Sequence, residues 1–178
     1  MSRLLHPSLE QAPAAAQPMF DLIRKAAGKV PNAYALIGSL SPAALKVALE
    51  GDAALTKGTL SKAELEAIRI AISAQNGCDY CVAAHTVLGA MSGLKQDELH
   101  QLRNGVASDD AKRGALVDFA RRVTGTNGTV PPAVVQAVTD AGYTPAQIVE
   151  ALLAIALISF TNLVNRVNDT PLDFPVPA

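Results

Sequence analysis

Tryptophan is absent, and aromatic residues make up only 4% of the 178-residue chain. A protein that depends on aromatic stacking surfaces is excluded by that shortage, and the core has to be built from Ala, Leu, Val and Ile. Charge is scarce too, at 17% of residues against the usual ~25%. Lys and Arg number 15 and Asp and Glu 16, for a net charge of −1. No basic field is available to neutralise a phosphate backbone, so no nucleic-acid partner is expected. There are two cysteines, Cys78 and Cys81. Two are too few for the disulfide framework of a small secreted fold and too few for a four-cysteine zinc site. The N-terminal stretch has no apolar h-region before Glu10, so no signal peptide is expected and the compartment is read as the cytoplasm. Paired thiols there are more often catalytic or metal-binding than structural.

Apolar residues, by contrast, account for 49% of the chain. At ~150 residues per domain the length suits one domain. A chain this long can bury roughly 70% of its unfolded surface, so it needs neither disulfide nor metal to stay folded. So much apolar surface with so little charge points to a homo-oligomer. The longest apolar run, 151–160, falls well short of the ~20 residues that span a bilayer. It reads as a helix buried in the core or between subunits, and no membrane partner is expected.

Helical punctuation recurs along the chain, and no stretch sustains a period of two. The fold class is all-α, with about eight helices. Residues 1–17 read as an N-terminal arm, 18–169 as the helical domain and 170–178, with three prolines, as an irregular C-terminal tail. Helices are expected over 18–27, closed by Gly28, and over 31–40. Another opens at Ser41-Pro42, an N-cap followed by Pro at the first helical position, and ends near Gly51 or shortly beyond. Ser61-Lys62-Ala63-Glu64 has the form of a capping box. The helix it opens stops at Asn76-Gly77, where Gly77 suits a positive φ. Further helices are expected from about Cys78 to Ser92, over 96–103, over 108–124 with Ser108 as N-cap, over 131–141, and from Thr144-Pro145 to about Val167.

Chemistry concentrates in one segment. Cys78-Asp79-Tyr80-Cys81 puts two thiols three residues apart at a helix start, a spacing that lets a disulfide close within one turn. The helix dipole favours a thiolate at Cys78, although Asp79 opposes it. His85 lies one turn beyond Cys81 on the same face and can take a thiol proton. Glu66 precedes the Asn76-Gly77 break by about as much as His85 follows it. An antiparallel pair of helices would bring the two to similar height, with Cys81 nearer the turn. The result is a carboxylate orienting a histidine that activates a nucleophile. Other readings stay open: two buried structural cysteines, an ion pair of Glu66 with Lys62 or Arg69 on the helix surface, or zinc held by the two cysteines, the histidine and the glutamate.

Glu66, Cys78-x-x-Cys81 and His85 in this register resemble the AhpD-like alkylhydroperoxidases of the carboxymuconolactone decarboxylase superfamily. The wording Asn76-Gly77-Cys78-Asp79-Tyr80-Cys81, followed by Ala83-Ala84-His85, is similar to the peroxidase-related branch. So is the ending Asn162-Leu163-Val164-Asn165-Arg166 with Leu172-Asp173-Phe174. The resemblance implies an all-helical domain assembled as a trimer or hexamer, and a thiol peroxidase acting on hydrogen peroxide or small organic hydroperoxides. It implies that Cys81 attacks the peroxide, Cys78 resolves it as a disulfide, and His85 with Glu66 relays protons. Tyr80 stands where the best-known members carry a histidine, so one member of the proton network is missing or replaced by a phenol. No bound cofactor is expected, and an external dithiol or thioredoxin-like reductant supplies electrons. The alternatives are a lactone decarboxylase of the same superfamily and a non-catalytic zinc or redox-sensing module.

Overall fold

The computed structural model describes residues 2–4, 6–106 and 108–177. Met1 and Leu5 of the expected arm and Ala178 of the expected tail lie outside the described residues. Among the described residues there are nine α-helices and no strand: α1 (Gln17–Ala27), α2 (Asn32–Leu40), α3 (Pro42–Thr56), α4 (Lys62–Gln75), α5 (Asp79–Met91), α6 (Gln96–Asn104), α7 (Ala111–Gly125), α8 (Pro132–Asp140) and α9 (Pro145–Asn168). The arm is not loose. It includes a single 3₁₀ turn, Ala14–Ala16, and buries Ala12 and Ala16 against the α1–α3 side of the molecule.

Helix α4 is the central element. It packs against α5, α6, α7 and α9, and of the nine positions from Leu65 to Ser73 all but Arg69 are buried. Its start is fixed locally. Ser61 Oγ accepts the Glu64 N–H at 3.2 Å, and Glu64 Oε2 accepts the Ser61 N–H at 2.7 Å. A box of this kind contributes ~1 kcal/mol. Its end is a Schellman turn: the Gly77 N–H reaches Ala74 O at 3.1 Å and the Cys78 N–H reaches Ser73 O at 2.9 Å. Gly77 sits at φ 65°, where a side chain would be strained. Cys78 then serves the next helix as well, its sulfur accepting the Cys81 N–H at 3.4 Å as the N-cap of α5. One short turn therefore aligns α4 and α5 antiparallel and fixes the first cysteine between them. Close approach of the pair is possible because Gly89 lacks a side chain. A Cβ there would lie 2.9 Å from Ile70 Cδ1 and from Leu99 Cδ2.

Helix α9 spans the stretch the sequence led one to expect. Its full 24 residues are long and apolar enough, by length and composition, to cross a membrane. One side of it packs against α2, α3, α4, α5 and α7. The buried stripe begins with Ala151, Ala154, Ile155 and Ile158 and continues with three asparagines, Asn162, Asn165 and Asn168. The 151–160 run is not buried all round, since Leu152 and Leu153 are each 40% exposed.

Two other boundaries move. Helix α3 continues to Thr56, past Gly51, because Leu157 of α9 lies where a Cβ at Gly51 would stand and holds that turn against the core. The cap of α7 is Asp110 and not Ser108. Asp110 Oδ1 accepts the Arg113 N–H at 2.9 Å, whereas Ser108 Oγ is engaged one step earlier with the Asp110 N–H at 3.2 Å. An aspartate that reaches the third residue of the helix outcompetes a serine placed two residues too early.

The segment after α9 has no regular structure but is held in place. Asp173 accepts the Tyr80 hydroxyl at 2.7 Å and the Asn32 N–H at 3.2 Å, and pairs with Lys29 at 3.0 Å. Phe174 meets the Tyr80 ring edge-on, with centroids 5.7 Å apart. We call residues 170–177 the strap.

Candidate active site

A cavity of about 180 Å³ opens where α3, α4, α5, α9 and the strap converge. Cys81 and His85 line it from α5, Arg69 from α4, Asp52 from α3, Asn165 from α9 and Phe174 from the strap. The remaining wall is largely apolar, with Ile23, Leu88, Leu157 and Ile158 among the contributors.

The α4–α5 hairpin brings Glu66 and His85 together. Glu66 Oε2 lies 2.8 Å from His85 Nδ1. Its other oxygen accepts from Arg69 Nη1 at 2.6 Å, and Arg69 Nη2 donates to Asp52 Oδ1 at 2.7 Å. Glu66 thus pairs with Arg69 as one reading of the sequence allowed, but in the interior, where its side chain is 8% exposed. Burial pushes the Glu66 carboxyl up. The charges and hydrogen bonds of His85 and Arg69 outweigh that and hold it below the usual carboxylate range. Because the carboxylate fixes Nδ1, the tautomer with its hydrogen there leaves Nε2 as the proton acceptor.

The cysteines are both free and buried, 2% and 3% exposed. They differ in charge state. The Cys81 thiol is drawn down to about 6, first by a hydrogen bond from Cys78 and then, against the opposing effect of burial, by Asn165, Asn162 and the charge of His85. The Cys78 thiol is pushed up, because it holds the shared proton and is buried. The helix-end argument favours Cys78. The structure has that sulfur occupied as an N-cap acceptor. Cys81 Sγ accepts a hydrogen bond from Asn165 Nδ2 at 3.3 Å. Among the described residues no hydrogen bond joins Cys81 to His85. They share one face of α5 and one cavity wall.

Tyr80 lines the same cavity. Its hydroxyl donates to Asp173 and accepts the Ala33 N–H at 3.2 Å, so its hydrogen bonds serve the strap and α2. Burial raises its phenol's pKa. Among the described residues no group of three or more His, Cys, Asp or Glu side chains is placed to hold a metal. The four residues of the zinc reading are already committed to one another and to Arg69.

Sequence reasoning missed Asp52, Asn165 and Asp173, and it weighed Arg69 only as a surface partner. Asp52 carries no local signal. The three asparagines spaced three residues apart in continuation of the apolar stripe of α9 did carry one: polar side chains on a buried stripe need partners.

Comparison with known proteins bears on this arrangement. Residues 42–124, which hold α3 to α7 with the Glu66, Cys78, Cys81 and His85 positions, match the carboxymuconolactone decarboxylase family. The alkyl hydroperoxide reductase AhpD of Anaeromyxobacter sp. strain K is 38% identical over 47 residues, a stretch covering 26% of this chain and 25% of that protein. A crystal structure of an alkylhydroperoxidase AhpD core, an uncharacterized peroxidase-related protein from Ralstonia eutropha JMP134, superposes with a TM-score of 0.87 at 26% identity, covering 97% of this chain and 92% of that one. An uncharacterized peroxidase-related protein from Silicibacter sp. TM1040 superposes at 0.82 with 23% identity, covering 96% and 91%. Residues 42–124 thus carry the family's pattern, and the chain as a whole is similar to the AhpD-like proteins of the carboxymuconolactone decarboxylase superfamily. The same fold also carries the debrominase Bmp8, whose Cys-to-Ala variant in complex with 2,3,4-tribromopyrrole superposes at 0.76 with 16% identity over 97% of this chain and 94% of that one. Fold alone therefore does not choose the reaction.

Proposed function

We propose that this protein is a CxxC-dependent thiol peroxidase that reduces hydrogen peroxide or small organic hydroperoxides. The observation that carries the reading is the asymmetry of the cysteine pair. Cys81 is held near its thiolate form, with a pKa of about 6, on a cavity wall it shares with His85, the partner of Glu66, while Cys78 keeps its proton one helical turn away. The thiolate is the nucleophilic form of cysteine.

Cys81 Sγ attacks the terminal oxygen of R–O–O–H. The S–O bond forms as the O–O bond breaks, and sulfur is oxidised to the sulfenic acid, which keeps that oxygen's hydrogen. The alkoxide that leaves takes a proton relayed through His85, whose charged ring is balanced by Glu66. Cys78 then attacks Cys81 sulfur. The disulfide forms, hydroxide leaves and the Cys78 proton completes a water molecule. An external dithiol or a thioredoxin-like protein restores both thiols. The reading carries with it a cytosolic setting and a homo-oligomer, trimer or hexamer, that covers exposed apolar residues such as Leu152, Leu153 and Leu163 of α9.

The lactone decarboxylase needs no cysteine pair, so the Cys78–Cys81 pair favours the peroxidase reading over it. The test is peroxide consumption with dithiothreitol as reductant. Cys81→Ser is expected to lose all reaction. Cys78→Ser is expected to lose turnover but to react once, with dimedone then labelling Cys81. Label retained in Cys81→Ser would move the nucleophile to Cys78. Decarboxylation of a lactone acid by a cysteine-free variant would replace the reading altogether.

A further inference from the structure

Three asparagines lie on the buried stripe of α9, and two of them are fully satisfied. Asn162 Nδ2 donates to Ser73 Oγ at 3.1 Å, and its Oδ1 accepts from Asn76 Nδ2 at 2.9 Å. Asn168 Oδ1 accepts the Leu4 N–H at 2.9 Å, and its Nδ2 donates to Thr170 Oγ1 at 3.0 Å. Asn165 differs. Its Nδ2 donates to Cys81 Sγ, while its Oδ1 is buried with no hydrogen-bond partner. The residue is 4% exposed and lines the cavity. A buried amide carbonyl without a donor is unfavourable, and most that persist in native proteins have a reason.

The orientation of the amide follows from the sulfur beside it. A thiolate is an acceptor and needs a donor, so the NH₂ group faces Cys81 and the carbonyl is left over. That oxygen has no access to solvent. Its donor has to arise next to it. Oxidation of Cys81 supplies one, since the sulfenic acid S–O–H carries a hydrogen where the thiolate had none.

We infer that Asn165 is the receptor for the sulfenic acid of Cys81, its carbonyl accepting the S–O–H hydrogen that its NH₂ group cannot. The inference rests on the peroxidase reading and deepens it. A sulfenic acid that donates to a carbonyl keeps its proton. The ionised sulfenate is the form that a second hydroperoxide oxidises to the sulfinic acid, with transfer of one further oxygen and release of a second alcohol. Asn165 therefore protects the intermediate until the Cys78 thiol displaces hydroxide from it.

The test uses Cys78→Ser, in which the sulfenic acid cannot be resolved. Mass spectrometry after a fixed dose of hydrogen peroxide gives the ratio of sulfinic to sulfenic Cys81. Adding Asn165→Leu is expected to raise that ratio roughly tenfold, the effect of one hydrogen bond. Asn165→Ala reads the same quantity should leucine disturb the fold. Asn165→Asp keeps the acceptor and loses the donor, so its ratio should stay near that of Cys78→Ser while the thiolate absorbance titrates at higher pH. Unchanged ratios in Asn165→Leu and Asn165→Ala would overturn the role of Asn165 and leave the peroxidase reading standing. Failure of Cys78→Ser to form any single-oxygen adduct at Cys81 would overturn the peroxidase reading and this inference with it.

Discussion

The α4–α5 hairpin and the strap deliver side chains to one cavity by opposite means. The hairpin is local. Its two helices, the Schellman turn and the capping box all lie within 61–91, and its polar groups meet within 19 residues of one another, Glu66 with His85. The strap has no regular hydrogen bonding of its own and is held by groups far away in sequence. Asp173 is bound by Tyr80, 93 residues earlier, and by the Asn32 amide, 141 residues earlier. The two regions meet at Tyr80, which sits between the cysteines in the first turn of α5 and gives its hydroxyl to the strap. An active-site wall can thus come from a self-stabilising hairpin or from a segment ordered only by what it covers. The second kind costs less to open.

Substitutions should separate the two. The largest effect is expected from Glu66→Gln. It removes a charge from a buried network and leaves Arg69 and His85 short of a partner, a change that destabilises by about 3 kcal/mol and slows peroxide turnover by roughly 100-fold. Denaturant unfolding and the peroxide assay check the two figures. Asp173→Ala comes next. It should destabilise by about 2 kcal/mol, since Tyr80, Asn32 and Lys29 all lose an acceptor, and should raise KM for an organic hydroperoxide more than it lowers kcat. An equal loss in kcat would mean that the strap belongs with the chemistry and not with access. Gly77→Ala strains the positive φ between the helices and should cost about 1 kcal/mol, read as a lower unfolding midpoint. The smallest effect concerns pH. Alkylation of Cys81 should rise through about pH 6, where its thiol ionises, with the protonated sulfur unreactive below. Asp173→Ala should leave that midpoint in place, because the groups that lower it, Cys78, Asn165 and Asn162, lie in the hairpin and α9. A midpoint moved by strap removal would merge the two regions.

How far the sequence could be read follows the same division. Ser61 to Glu64, Asn76-Gly77 and the Cys78, Cys81, His85 spacing are local patterns, and each marks structure found at that place. The pairing of Glu66 with His85 needed only helix rise and one turn. Asn165 and Asp173 reach the site across 84 and 93 residues of chain, and no periodicity encodes such meetings; Asp52 comes from a third helix, α3, outside the hairpin. The cap of α7 was misplaced for a smaller reason. Ser108, Asp109 and Asp110 are all good N-caps, and the choice was made by the Arg113 amide and side chain, both of which bind Asp110.

The asparagine stripe of α9 sets a length constraint. Asn162, Asn165 and Asn168 span about 9 Å at 1.5 Å per residue, and each step of three turns the helix by about 60° short of a full circle. The first amide therefore reaches the α4–α5 turn, the second the Cys81 sulfur and the third the N-terminal arm at Ser2 and Leu4. A single residue inserted between Asn162 and Asn168 would swing everything after it by about 100°. No pair of these amides straddling the insertion could then keep its partners. Substitutions along this stretch can be absorbed one site at a time, but its number of residues is fixed by three separate attachments.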